Sequence, residues 1–215
     1  MSTAEVDGVL DEFYEGARLA AAHGFQHVQV HAAHGYLLNL LIDHRVYVGS
    51  DRILARLGDL AVWLQRNGVE SSIRISLRSG DPVHDASGPN HMYEAILALP
   101  FDFIDISSGF YNINKQLIYP SRPDTLAARR AATIALAIRH PEKAMIISGR
   151  AMSRPVTDLP PNLHIGLCRD LIANPRFLTE PGNGCRNHGK CHYFSRGETH
   201  VVCPRWQETA GDPVE

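Results

Sequence analysis

Two periodicities alternate along this chain, and that alternation limits the folds open to it. Helix-spaced apolar positions come first: Val6, Val9, Leu10, Phe13, Ala17, Ala20 and Ala21 recur as one face of a helix. Ser2 and Glu5 have capping-box spacing at its start, and Gly24 supplies a stop. A short strand-like run from Phe25 to His31 follows. The same exchange then repeats. A helix over Asp51–Asn67 precedes a strand over Ser71–Leu77, and a polar loop over Ser79–Asn90 leads through a short helix to a strand over Phe101–Ser107. A helix over Asp124–His140 leads to a strand over Ala144–Ser148. After a Pro160-Pro161 turn comes a last strand over Leu163–Leu167, then a short helix from Asp170 to Ala173. Strands separated by helices pair in parallel, because a parallel crossover needs a dozen residues or more. The fold class is therefore α/β, with polar residues (His31, Arg74, Ser107, Gly149, Arg169) at the strand ends. Strand C-termini are where such folds build their sites.

Five strands fit an open doubly wound sheet, and they equally fit the greater part of a (β/α)8 barrel, which typically needs about 250 residues. Composition excludes other classes. Of the 215 residues, 44% are hydrophobic and 20% charged, enough for a packed core. A net charge of −2 gives no footprint for nucleic acid. No apolar run has the length of a membrane span. The segment Met1–Glu5 has neither the basic start nor the apolar core of a signal peptide, so a cytoplasmic location is expected. Lys occurs only at 115, 143 and 190, so Arg is the general basic residue and a single Arg is weak evidence for a phosphate site.

The string from Gly24 to Leu38, with His31-Ala32-Ala33-His34-Gly35-Tyr36 at its centre, resembles the fourth-strand signature of the old yellow enzyme family. These are FMN-dependent NAD(P)H:flavin oxidoreductases on a TIM barrel. The resemblance implies that His31 and His34 polarise the carbonyl oxygen of an activated alkene and that Tyr36 delivers the proton. The chemistry is coherent, since hydride addition to an enone builds negative charge on that oxygen, which two N–H donors stabilise. Further segments resemble the later strands in register. Ile73-Arg74-Ile75-Ser76 is similar to the fifth, implying that Arg74 lies by the flavin, and Ile104 to Gly109 is similar to the sixth. Met145 to Arg150 resembles the seventh and Ile165 to Arg169 the eighth. Ser148, Gly149, Arg150, Cys168 and Arg169 would then hold the FMN phosphate.

Three features depart from the family pattern. Nothing in the chain corresponds to the first three strands, the loop after Tyr36 is shortened to Asp43–Ser50, and Cys168 stands where the family has Gly. The expected fold is an incomplete barrel holding about the last five strands, over residues 1–180. A second copy or a partner chain would cover its open edges.

Residues 181–215 form a Cys/His-rich tail with the spacing C-x2-H-x2-C-x11-C: Cys185, His188, Cys191, Cys203. Three thiolates and an imidazole make a tetrahedral zinc set, and the same set can hold an iron–sulfur cluster. The tail is similar to that of the dienoyl-CoA reductase and trimethylamine dehydrogenase subgroup, which implies a [4Fe–4S] cluster with His188 in place of one Cys. His192 and His200 are spare candidates. The expected activity is FMN-dependent hydride transfer to or from an activated C=C bond, with NAD(P)H as reductant. A non-catalytic, metal-stabilised scaffold and a flavin-free acid–base enzyme using the His pair are the alternatives.

Overall fold

The computed structural model describes residues 1–87, 90–118, 122–150, 152, 157–186, 199–200 and 202–209, with the side chains of 90–91 and 207–209 excepted. Helix α1 (Thr3–Ala22) begins at the expected capping box: Glu5 N–H donates to Ser2 Oγ, and Ser2 N–H to Glu5 Oε2. Strand β1 (His27–Ala32) follows, then the five-residue helix α2 (Leu37–Leu41). Helix α3 (Ser50–Arg66) buries Ile53, Leu54, Leu57, Leu60, Ala61 and Leu64 along one face, as its spacing predicts. Strand β2 (Glu70–Ser76) leads to α4 (Pro82–Ala86) and α5 (Asn90–Leu97), and strand β3 (Phe103–Ser107) to α6 (Lys115–Ile118) and α7 (Pro123–Arg139). Strands β4 (Ala144–Ile147) and β5 (Leu163–Ile165) complete the sheet. Helices α8 (Arg169–Ala173) and α9 (Pro204–Thr209) close the described chain.

All four strand pairings are parallel, and the strand order is the chain order, β1-β2-β3-β4-β5. A doubly wound sheet reverses direction at a switch point, and this one does not. Right-handed crossovers taken always in one direction put the helices on one face. Burial agrees with that rule. Val30, Ile73, Ile75, Ile104, Ile106, Met145, Ile147 and Leu163 point to one side, and each is at most 5% exposed. The register aligns the residues of the other side as rows, Gln29–Ser72–Phe103–Ala144 and His31–Arg74–Asp105–Ile146. That face is polar and partly open, with His27, Gln29, His31 and His164 exposed. Among the described residues, β1 and β5 each pair on one edge only.

The polar loop expected over 79–90 contains a helix. Asp81 caps α4 by accepting from the Val83 and His84 N–H groups, and Pro82 stands at its first position. Strand β5 is shorter than expected. Gly166 N–H still donates to Ile147 O, but a Cβ on Gly166 would collide with Ser148 Oγ. After residue 180 the chain folds back on α8: Cys185 N–H donates to Asp170 Oδ1 (2.8 Å) and Trp206 Nε1 to Ile172 O (2.8 Å).

Candidate active site

The C-terminal end of β1 turns sharply through two consecutive left-handed residues, His34 (φ 66°) and Gly35 (φ 75°). Positive φ is costly for a side chain as large as His34, and such strain persists only where surroundings enforce it. Three contacts enforce it here. His34 N–H donates to Ser76 Oγ at 2.8 Å, Gly35 N–H donates to Asn39 Oδ1 at 2.9 Å, and Tyr111 N–H donates to His34 O at 2.8 Å. Phe110 packs where a Cβ on Gly35 would lie. The turn brings three rings together. His31 and His34 stand 5.1 Å apart edge to face, and His31 and Tyr36 are 5.7 Å apart. Tyr36 is 52% exposed, with Tyr111 at 6.4 Å.

His34 Nε2 lies 2.6 Å from Ser107 Oγ, and Arg129 Nη2 lies 3.4 Å from the same oxygen. A guanidinium can only donate, so Ser107 Oγ accepts from Arg129, and its own O–H is able to donate to His34 Nε2. In the tautomer that accepts this bond, Nδ1 carries the proton of the neutral ring. Burial, reinforced by Arg74, His31 and Arg129, pushes the His34 imidazole down to about 4. His31 is lowered too, by burial and then by Arg74, against an opposing pull from Asp105. Both rings are thus disposed to be neutral hydrogen-bond donors.

Arg74, opposite His31 on β2, donates from Nη1 to Asp105 Oδ2 at 2.9 Å. Asp105 is 3% exposed and is the hub of the polar face. Gln29 donates to its Oδ2 (3.1 Å) and Ser148 to its Oδ1 (3.1 Å), so strands β1 to β4 meet at one carboxylate. The shortened loop after Tyr36 is pinned below the site. Arg45 grips Asp43 by a two-pronged bond (2.9 and 2.7 Å) and reaches His84 O in α4 and Ser87 Oγ at its C-terminal cap. Burial raises the Asp43 carboxyl, but the Arg45 bonds outweigh it and hold the group below its ordinary value.

At the end of β4 a second left-handed pair occurs, Gly149 (φ 79°) and Arg150 (φ 63°). His34 and Arg150 are the non-glycine residues with positive φ among the described residues, and both belong to the sets the sequence singled out. A Cβ on Gly149 would stand 2.9 Å from Arg129 Nη1, so the backbone lies close against this guanidinium, and the positive φ favours glycine there. Among the described residues, the buried Arg129 Nε has no hydrogen-bond partner. A left-handed turn against an under-satisfied guanidinium fits a phosphate group. Cys168 does not obstruct such a site. It is exposed, at φ −144° and ψ −70°, and α8 begins directly after it with Arg169.

Sequence reasoning missed Asp105 and Arg129. Asp105 is a lone charge between isoleucines in a buried strand, which is itself a signal. Arg129 lies on a helical face with Thr133, Leu136 and Ala137, all buried, so its spacing put it inward. Of the expected metal ligands, Cys185 and Cys203 are described, Cys203 as a buried residue, while His188 and Cys191 lie outside the described residues. Among the described residues no group of three or more His, Cys, Asp or Glu could hold a metal ion. No helix among them is long and apolar enough to cross a membrane.

No protein-family model matches the chain. It is 26% identical over 183 residues to the NADH-dependent flavin oxidoreductase iliE of Hypocrea jecorina, covering 80% of this chain and 43% of that protein. It is 27% identical over 132 residues to the protein of the same name from a Neonectria species, covering 57% of this chain and 17% of that one. The chain thus spans less than half the length of the curated relatives it matches. Among solved structures, a crystal structure of D-psicose 3-epimerase in the presence of D-fructose superposes at a TM-score of 0.40. The sequence identity there is 17%, over 63% of this chain and 46% of that one, an overlap too slight to bear on function.

Proposed function

We propose that this chain is the C-terminal part of a barrel of the old yellow enzyme type and works in FMN-dependent reduction of an activated alkene, with NAD(P)H as reductant. The observation that carries the reading is the convergence of His31, His34, Tyr36 and Arg74 at the ends of adjacent strands. The similarity to proteins named NADH-dependent flavin oxidoreductase supports it. The catalytic residues in this reading are His31, His34 and Tyr36. Arg74, Ser148, Gly149, Arg150, Cys168 and Arg169 surround the cofactor.

FMN, when bound, supplies the hydride. The chain's residues do the rest. His31 and His34, both disposed to be neutral, donate to the substrate carbonyl oxygen and stabilise the charge that develops there. Tyr36, exposed beside them, delivers a proton to the adjacent carbon. Arg74, fixed by Asp105, keeps a positive charge on the polar wall, and the Gly149–Arg150 turn receives the phosphate. The strands that would close the barrel come from other polypeptide, either elsewhere in a longer protein, in a second copy or in a partner chain. For the tail we retain zinc or an iron–sulfur cluster on Cys185, His188, Cys191 and Cys203.

The test is absorption spectroscopy and FMN titration of the purified chain, with metal analysis and sedimentation on the same sample. Stoichiometric flavin, whose reduced form is reoxidised by an enone, supports the reading. A chain that takes up no FMN in any assembly state refutes it and favours the scaffold, for which the open strand edges would be the docking surface.

A further inference from the structure

The His34 ring meets a hydroxyl that has little choice of partner. Ser107 ends β3 and is fully buried. Among the described residues its Oγ has two hydrogen-bond neighbours, His34 Nε2 at 2.6 Å and Arg129 Nη2 at 3.4 Å. Nη2 carries two hydrogens, and the Ile106 carbonyl oxygen, at 3.1 Å, accepts the other. Burial, helped by Arg74, pulls the Arg129 guanidinium down to about 10, which leaves it charged at neutral pH. Arg129 is therefore a permanent donor to Ser107 and never an acceptor. One acceptor remains within reach of the Ser107 O–H, and that is His34 Nε2. A buried hydroxyl without an acceptor costs free energy, so the count favours that bond.

The backbone is shaped to make this contact. Ser76 and Ser107 are register partners at the ends of β2 and β3. The His34 N–H donates to Ser76 Oγ while the His34 ring reaches Ser107 Oγ, so two adjacent strands hold one residue. The left-handed φ of His34 is the conformation in which both contacts exist. At 2.6 Å the ring atom facing Ser107 is at hydrogen-bond distance, closer than a ring carbon would come, which fixes the ring against a flip. Nδ1 lies on the opposite side of the ring, and among the described residues no hydrogen bond takes it up.

We infer that Ser107 is a positioning residue for His34: held as an acceptor by Arg129, it donates to Nε2 and fixes the imidazole as its Nδ1–H tautomer. The hydrogen bond at one ring nitrogen decides which one carries the proton. The tautomer rests on the hydrogen-bond geometry alone. Its catalytic use, with Nδ1–H as the donor that His34 offers to the substrate oxygen, rests on the function proposed above.

The experiment is proton–nitrogen NMR of isotope-labelled histidine rings in the full chain at neutral pH. The bare and protonated nitrogens of a neutral imidazole resonate far apart, so the tautomer is read directly. The signals that vanish in His34→Asn identify the ring. Wild-type His34 is expected as Nδ1–H. Ser107→Ala should shift it toward Nε2–H, and Ser107→Thr, which keeps the hydroxyl, should restore Nδ1–H. Arg129→Met frees Ser107 to accept from the ring and should give a mixture of the two forms. A merely structural serine would lower the melting midpoint and leave the tautomer alone, and that result overturns the inference. So does a wild-type ring in the Nε2–H form, and a ring wholly Nδ1–H in Arg129→Met overturns the part given to Arg129. If a variant fails to fold, the wild-type spectrum and the remaining variants carry the test. Enone reduction by the FMN-loaded chain separates the two claims. Ser107→Ala should slow it by about 100-fold, the cost of one oxyanion donor, with Ser107→Thr recovering the rate. A wild-type Nδ1–H ring in a chain that reduces no enone keeps the role of Ser107 and sinks the catalytic reading. Enone reduction by a chain whose His34 is Nε2–H does the reverse.

Discussion

Replacing His34 by Asn tests the electrostatics of the site where they are most quantitative. Asn tolerates a left-handed φ better than most residues and does not titrate, so the turn survives while the imidazole is lost. The wild-type ring is lowered from its ordinary 6.5 to about 4 in the folded chain, chiefly by burial. Between those values the unfolded state binds more protons than the folded one, so stability is full above pH 6.5 and is lost as pH falls. Linkage across that interval gives a loss of about 2 kcal/mol between pH 7 and pH 5 from this residue alone, a ceiling because part of the ring meets solvent. Urea unfolding of both proteins at the two pH values isolates the effect, since every other group is common to both. His34→Asn should show a smaller acid loss by about 1–2 kcal/mol, on top of a pH-independent offset of about 1 kcal/mol for the bond to Ser107. Identical acid losses in the two proteins would refute the argument that His34 is held neutral.

Other consequences are as direct. Asp105→Asn keeps the shape of the hub but removes the charge from three hydrogen bonds. It should cost about 2–3 kcal/mol and lower the melting midpoint by about 5–10 °C. Gly149→Ala should cost about 1–3 kcal/mol in a urea melt, because the alanine is strained at positive φ and meets Arg129. Tyr36→Phe should slow alkene reduction by about 100-fold or more while FMN affinity, followed by flavin fluorescence, stays unchanged. Cys203→Ser should reduce the zinc or iron content of the purified chain, measured by plasma mass spectrometry; unchanged metal removes Cys203 from the ligand set.

The helices and strands were legible because their apolar residues keep a strict period. Ile53, Leu57, Leu60 and Leu64 declare α3 without help, and the isoleucine runs of β2 and β3 declare buried strands. The rings of His31, His34 and Tyr36 could be grouped because one turn contains them all. What stayed hidden depends on partners distant in sequence. Asp105 is a hub only because Gln29, Arg74 and Ser148 arrive from three other strands. Arg129 reads as one of many arginines until Gly149 is seen lying against it. Helix α4 was concealed in a polar stretch whose Asp-Pro pair is a cap and a first turn. The doubly wound alternative could not be dismissed from periodicity, because strand order leaves no mark on hydrophobic spacing.

That strand order also has a meaning in time. Every strand pairs with the one made just before it, so a chain emerging from the ribosome can add each new strand to an edge already present. Among these five strands, each pairing forms as soon as the next strand is made. Loop closure at each step spans only the crossover to the next strand, which keeps the entropic cost of each pairing modest. The growing edge is always the most recent strand, and β5, three residues long, is the last such edge among the described residues. Nascent-chain lengths released just past β3 and just past β4 should therefore already resist proteolysis in their earlier units, with protection advancing strand by strand.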